Sequence, residues 1–417
     1  MNIVFYAIGQ ELLQGKIQDR NTAVLAKALQ NWGLSLEYMA ALPDSMETLS
    51  QKISHALSNF DICILSGGLG PTLDDITASA IANAFGVEMV ESSEYREVVK
   101  SNCLKRKFQP QGDSYKYSPA GAIPLLNPVG IAPGLICQSP TGSVVCALPG
   151  VPREFQAMLR PMLEQLSQLI PKFESQALSS IVYKTKGIPE EKIFKSLCPK
   201  LWGQLKQFGT PFSLPHPVNV DIGIYLDPKE SQNRQQIKEK LDEIIFQGPL
   251  EEHIWTDKDI SIEELVLERA REKSLTIATA ESCTGGLVAS RLTDISGSSD
   301  VVEGGVVSYS NRVKERVLSV NPATLKSFGA VSLETAKEMV EGLENCTDAE
   351  LMVATTGIAG PGGGSEQKPV GTVCVGIKRR GKPAHAKKYQ LRGERTELKY
   401  RFSQVALFDL LELIEKT

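Results

Sequence analysis

Thr279-Ala280-Glu281-Ser282-Cys283-Thr284-Gly285-Gly286 is the stretch on which the reading of this chain turns. An apolar run over 275–278 precedes it with the composition of a buried strand, and residues 287–292 follow it with that of a helix. Ser282 therefore falls at a strand-to-helix corner. A hydroxyl there stands clear of the sheet, and nearby backbone N–H groups face an incoming oxyanion.

Outward from that corner, 305–308, 351–355 and 371–377 read as further strands. Ser261 caps a predicted helix over 262–273, and 396–414 reads as a long amphipathic helix. The segment before it changes character. Strands over 180–185 and 218–225, helices over 190–197 and 232–245, and breaks at Pro211, Pro215 and Pro217 describe a small α+β module, with 257–260 as linker. The first part alternates strands over 3–8, 34–40 and 61–65 with helices over 21–32, 46–58 and 76–85. Such βαβ order implies a parallel sheet covered on both faces. The expected fold is α/β: two three-layer α/β/α domains with mostly parallel sheets, 1–172 and 257–417, joined by the α+β module 173–256.

Composition narrows the function. Among 417 residues, 42% are hydrophobic and 23% charged, as in an ordinary globular protein, and the length implies more than one domain. Net charge is −4 and there is no run of five Lys/Arg, which argues against a nucleic-acid surface. The eight cysteines form no C-x-x-C pair and suit a reducing compartment, while four scattered histidines argue against a His-based zinc site. The sequence has no signal-peptide pattern at its N-terminus and no membrane-length apolar stretch, so a cytoplasmic location is expected.

Two constellations carry chemistry. Ser66-Gly67-Gly68-Leu69-Gly70-Pro71-Thr72-Leu73-Asp74-Asp75 follows a predicted strand, and its glycines let the backbone approach an anion. Asp74 and Asp75 invite a divalent cation such as Mg²⁺, although Thr72-x-x-Asp75 equally reads as a helix cap. Glu11, Asp19, Asn21, Asp44 and the run Leu148 to Glu154 also fall at strand ends, where parallel sheets bind ligands. In the second constellation Ser282 needs a base. His385 lies in a polar stretch, so Lys314, in the first turn of the helix after 305–308, is the candidate. A base at neutral pH requires a lowered lysine pKa, which burial and the helix dipole would supply. Thr355 to Gly364 could form an oxyanion hole or bind phosphate, and Gly297-Ser298-Ser299 could add polar contacts. The alternatives are that Ser282 is a helix cap, that Lys314 is a solvated surface residue, or that Cys283 is the nucleophile.

Ala280 to Gly286, Tyr309-Ser310-Asn311, Gly329-Ala330-Val331-Ser332, Thr356 to Pro361 and Lys368 to Val373 together resemble the C-terminal domain of the CinA family. The resemblance implies a nicotinamide mononucleotide (NMN) deamidase without cofactor. Ser282 and Lys314 would be its dyad, with Thr284, Gly285, Gly286, Ser298, Tyr309, Ser310, Thr356 and Gly357 on the substrate. Gly9 to Gly15, Gly67 to Asp75, Asn127 to Gly134 and Leu148 to Glu154 resemble the family's molybdopterin-binding-like domain, and the middle module its KH-like domain. That half implies a metal-dependent ADP-ribose pyrophosphatase. Gly67, Gly68, Gly70, Thr72, Gly150 and Glu154 would contact substrate, and Asp74, Asp75 and Glu11 would hold Mg²⁺ or a similar cation. Lys116-Tyr117-Ser118-Pro119 and Gly187-Ile188-Pro189-Glu190-Glu191 depart from the family's pattern. The implied partners are small nucleotides (NMN, ADP-ribose) and a second copy in a homodimer, with no nucleic acid or membrane. A non-catalytic nucleotide- or pterin-binding first domain, or a competence-linked regulatory or scaffold role, is the alternative.

Overall fold

The computed structural model of the chain describes residues 1–72, 74–104, 115–170, 179–226, 230 and 233–417. The expected boundary at 172/173, and residue 232 at the start of one expected helix, lie outside the described residues. The chain divides into two compact units, Met1–Ser180 with Tyr225–Gln235, and Ile181–Ile224 with Gln236–Thr417.

The first unit holds β1 (Ile3–Ile8), β2 (Tyr38–Leu42), β3 (Ile62–Ser66), β4 (Met89–Glu91), β5 (Tyr117–Pro119), β6 (Ile123–Leu125), β7 (Gly134–Gln138) and β8 (Val144–Leu148). Six of them form one sheet in the order β2-β1-β3-β8-β7-β6, and β4 pairs with β5. β1, β2, β3 and β8 run parallel, while β6 and β7 are antiparallel additions. All six residues of β1 are buried, because alternate side chains enter different cores. Ile3, Phe5 and Ala7 pack with the helices Asn21–Gln30 and Pro152–Leu169. Val4, Tyr6 and Ile8 pack with Met46–Asn59 and Thr77–Phe85.

The second unit adds β9 (Ser180–Lys186), β10 (Thr210–Pro215), β11 (Asn219–Tyr225) and β12 (Ile254–Thr256), in the order β10-β11-β9-β12. Pro211 and Pro215 do not break this region as expected; they sit in β10, an edge strand, where a missing N–H costs no ladder bond. The expected helix over 190–197 is a single α-turn followed by a π-turn at Ile193–Leu197.

The larger sheet comprises β13 (Ile277–Glu281), β14 (Val302–Val307), β15 (Leu351–Gly357), β16 (Thr372–Arg379) and β17 (His385–Gln390), in the order β14-β13-β15-β16-β17. β13, β14 and β15 are parallel; β16 turns back, and β17, antiparallel to β16, runs in their direction again. The helices Ile262–Glu272 and Arg395–Glu415 cover one face, and Leu333–Cys346 the other. Ser261 and Glu264 make the reciprocal capping box that starts the first of these. The polar stretch around His385 is a strand, and the last helix is amphipathic only at its ends, since Phe402 to Leu411 are all buried. The architecture is α/β with mostly parallel central strands. Among the described residues no helix is long and apolar enough to cross a membrane.

Candidate functional site

Ser282 leaves β13 at the edge where the three parallel strands end, and its N–H donates to Thr355 O at 2.9 Å. Glu281 fixes the corner. Its carboxylate accepts the N–H groups of Gly286, Val288 and Ala289 at 2.9, 3.1 and 2.8 Å, so the strand's last side chain caps the helix Leu287–Thr293. Gly285 and Gly286 turn the chain with φ of 65° and 93°, values that favour glycine. Ser282 is thus not the cap of that helix.

Lys314 lies on the helix Asn311–Leu318, whose N-cap is Ser310. Its side chain is 1% exposed, and Nζ lies 2.8 Å from Ser282 Oγ, 2.7 Å from Ser308 O and 3.5 Å from Tyr309 O. An ammonium donates to all three oxygens. A neutral amine keeps two donors for the carbonyls and turns its lone pair to the serine hydroxyl. Burial lowers the Lys314 pKa from 10.5 to about 8, against a small opposing influence from Cys283. Burial also pushes the Cys283 thiol up to about 12, which leaves it protonated and a poor nucleophile.

The pair opens on a cavity of about 190 Å³ that Tyr309, Asn311, Thr356, Gly357 and Arg395 also line. Of the expected substrate residues, Tyr309, Thr356 and Gly357 reach it. Thr284 is buried with Oγ1 2.6 Å from Thr355 Oγ1, Gly285 and Gly286 shape the corner behind it, and Ser310 caps its helix. Ser298 is misplaced by the sequence reading. It precedes β14, and β14 pairs in parallel from Ile277↔Val302 onward, so Ser298 lies at the edge where β13 begins, opposite Ser282. His385 is removed for a similar reason, since it pairs with Ile377 while Gly357 pairs with Val373 at the other end. Arg395, missed in the sequence, opens the last helix and donates to Gly360 O at 2.7 Å and to Tyr309 OH at 3.3 Å. An Arg on the polar loop before that helix was its only signal.

The first unit carries a wider cavity, about 610 Å³, at the C-terminal ends of its parallel strands. Gly67, Gly68, Gly70, Gly150, Glu11, Asp74, Asp75 and Glu154 all line it. A Cβ on Gly67 would meet Ile8 O at 2.5 Å, and one on Gly68 would meet Thr77 Oγ1 at 2.2 Å, so neither position leaves room for a side chain. The Gly67 N–H is engaged by Leu148 O and is not open to an anion. Thr72 does not face the cavity: its N–H and hydroxyl both donate to Asp75, closing a turn ahead of the helix Thr77–Phe85. Asp19 likewise binds the N–H groups of Asn21 and Thr22, and Glu154 accepts from Asn127 Nδ2 at 2.7 Å.

The expected metal set of Glu11, Asp74 and Asp75 does not converge, because Asp75 turns back to Thr72. Among the described residues no three His, Cys, Asp or Glu side chains form such a cluster. Asp74 and Glu11 remain on the wall. The all-oxygen set fits a hard cation only in the mode where one or two carboxylates bind and substrate phosphates complete the shell. Asn21 donates from Nδ2 to Ser66 Oγ and Gly150 O, which leaves its buried Oδ1 without a partner beside this cavity.

A family profile described as the CinA C-terminal domain matches residues 259–414, and one described as "Probable molybdopterin binding domain" matches residues 5–168. A protein of Caldanaerobacter subterraneus subsp. tengcongensis, named as a competence-damage inducible protein, is 37% identical over 97% of this chain and 96% of its own length. A CinA-like protein of Chloroherpeton thalassium is 34% identical over 98% of both chains. A crystal structure of the competence/damage inducible protein CihA from Agrobacterium tumefaciens is 44% identical, covering 36% of this chain and 94% of that one, with a TM-score of 0.36.

Proposed function

The chain belongs to the CinA family, and from that premise we propose that its C-terminal part hydrolyses the carboxamide of NMN, giving nicotinic acid mononucleotide and ammonia. The contact between Ser282 Oγ and the buried Nζ of Lys314, at 2.8 Å, carries this reading. Ser282 Oγ attacks the carboxamide carbon while neutral Lys314 takes the hydroxyl proton. The tetrahedral intermediate collapses, the C–N bond breaks, and Lys314 returns the proton to the departing amine as ammonia. Water, deprotonated by Lys314, then attacks the acyl ester; the bond between the acyl carbon and Ser282 Oγ breaks, Lys314 returns the proton to Oγ, and nicotinic acid mononucleotide leaves with the serine and the neutral amine restored.

Gly357 is the best-supported oxyanion donor. The Ser282 and Gly286 N–H groups are already engaged by Thr355 and Glu281. Ile358 donates to Thr372 O across the antiparallel β15–β16 pair, and the alternation of such a ladder turns the Gly357 N–H toward the β13 side, where Ser282 lies. Arg395 at the rim suits the nucleotide phosphate. The eight cysteines are all free thiols, which suits a cytoplasmic enzyme. Ammonia release from NMN tests the reading: wild type should release it, and Ser282→Ala and Lys314→Ala should not. Release that survives either change would refute it.

A second reading concerns the first unit. Its large cavity, separated carboxylates and unpartnered Asn21 Oδ1 support a polar nucleotide ligand and ADP-ribose hydrolysis. A divalent cation would be held by Asp74 and Glu11 and, when bound, would polarise a phosphoryl oxygen. Asn21 Oδ1 would take a ribose hydroxyl donor. Hydrolysis of ADP-ribose that is unchanged in Asp74→Asn would reject this assignment.

A further inference from the structure

A third cavity, about 660 Å³, lies within the second unit and belongs to neither site above. One wall is the edge of the small sheet and its loops, including Ile188, Pro217 and Val218; the other is β17 with the last helix, including Val405, Phe408 and Asp409. Its size is that of a small-molecule site. Asp409 is 2% exposed, and its carboxylate is only half satisfied. Oδ1 accepts Lys387 Nζ at 2.9 Å and Tyr389 OH at 2.7 Å, whereas Oδ2 is buried without a partner. A buried acceptor left bare is costly, so such atoms mark places where something else completes the bonding.

Local charge sets the ligand's class. Lys387 also pairs with Glu412 at 2.6 Å, and Glu412 pairs with Lys416. The lining sets Lys186, Lys387 and Arg401 against Glu190, Glu252, Asp409 and Glu412, so its charges nearly balance and no strongly charged ligand is called for. Phe408, Val405 and Ile188 offer an apolar surface to a ring. We propose that this cavity binds a small, neutral, planar molecule that presents an N–H donor, such as a primary carboxamide on an aromatic ring, to Asp409 Oδ2.

The test uses the full chain with benzamide and benzamidine, which share a ring and differ in charge, followed by saturation-transfer NMR and calorimetry. Wild type should bind benzamide more tightly than benzamidine. Asp409→Leu should weaken benzamide at least tenfold. Pro217→Trp fills the mouth and leaves Asp409 untouched, so it should do the same at an unchanged melting temperature, while Ser282→Ala should bind normally. Absence of benzamide binding in wild type overturns the proposal, and so does binding that survives Pro217→Trp. Tighter benzamidine binding overturns the assignment of a neutral ligand.

Discussion

The corner at Ser282 and the cavity beside Asp74 lie at matching edges of two parallel α/β sheets, yet they differ in completeness. At Ser282 every reacting group is covalently part of the chain. The hydroxyl and the amine touch in a cavity of about 190 Å³, and each neighbour is hydrogen-bonded into place. Beside Asp74 the cavity is about three times larger, and its carboxylates are spread over several loops and do not meet. On the proposed functions the contrast has a physical reason: chemistry supplied by side chains would leave a finished arrangement in the protein, whereas chemistry that relies on a cation and a polyphosphate would leave only half of one, because the ligand brings the rest.

The largest effect that would break this contrast is the loss of Ser282. Ser282→Ala should lower NMN deamidation by about 10⁴-fold or more, as for other catalytic nucleophiles, while ADP-ribose hydrolysis stays unchanged in the same preparation. Lys314→Arg should be nearly as severe, since a guanidinium cannot give up its proton. On the other side, Asp74→Asn should lower ADP-ribose hydrolysis by about 10- to 100-fold and spare deamidation. Equal losses of both activities in either variant would show that the units do not act separately.

Stability sharpens the comparison further. The fall of the Lys314 pKa from 10.5 to about 8 means that the fold disfavours its charged form. That group's contribution is full above 10.5 and is lost as pH falls through about 8, so at pH 7 burying it costs stability. Lys314→Met should therefore raise the unfolding free energy at pH 7 by about 1–3 kcal/mol in chemical denaturation, with the gain shrinking by pH 10. The smallest effect is expected at Cys283. Cys283→Ala should change deamidation by less than about tenfold and cost about 1 kcal/mol of packing.

Much of this was legible before any coordinates. The β1 strand and the Ser261 cap follow from local pattern, because each rests on residues whose placement its own strand or helix decides. The strand expected over 275–278 is shifted to Ile277–Glu281, and the Ser282–Lys314 contact, 32 residues apart, is reached by setting His385 aside and placing both residues at strand ends. What escaped depends on register and long range. Ser298 looked like a site loop, but parallel pairing sends it to the opposite edge. Arg395 joins Tyr309 only because the last helix packs along the sheet. Pro211 and Pro215 read as breakers because a sequence does not show which strand is an edge. Asp75 was open between helix cap and cation ligand, and the structure gives a turn instead, in which its carboxylate accepts two donors of Thr72 at once.

The central claim is that Ser282 is activated by a neutral, buried lysine, and the pH dependence of kcat/KM for NMN deamidation tests it most directly. The account predicts that log(kcat/KM) rises with unit slope below about pH 8, levels above it, and vanishes into background in Lys314→Arg. A profile that is flat from pH 6 to 9, or substantial activity in Lys314→Arg, would contradict it.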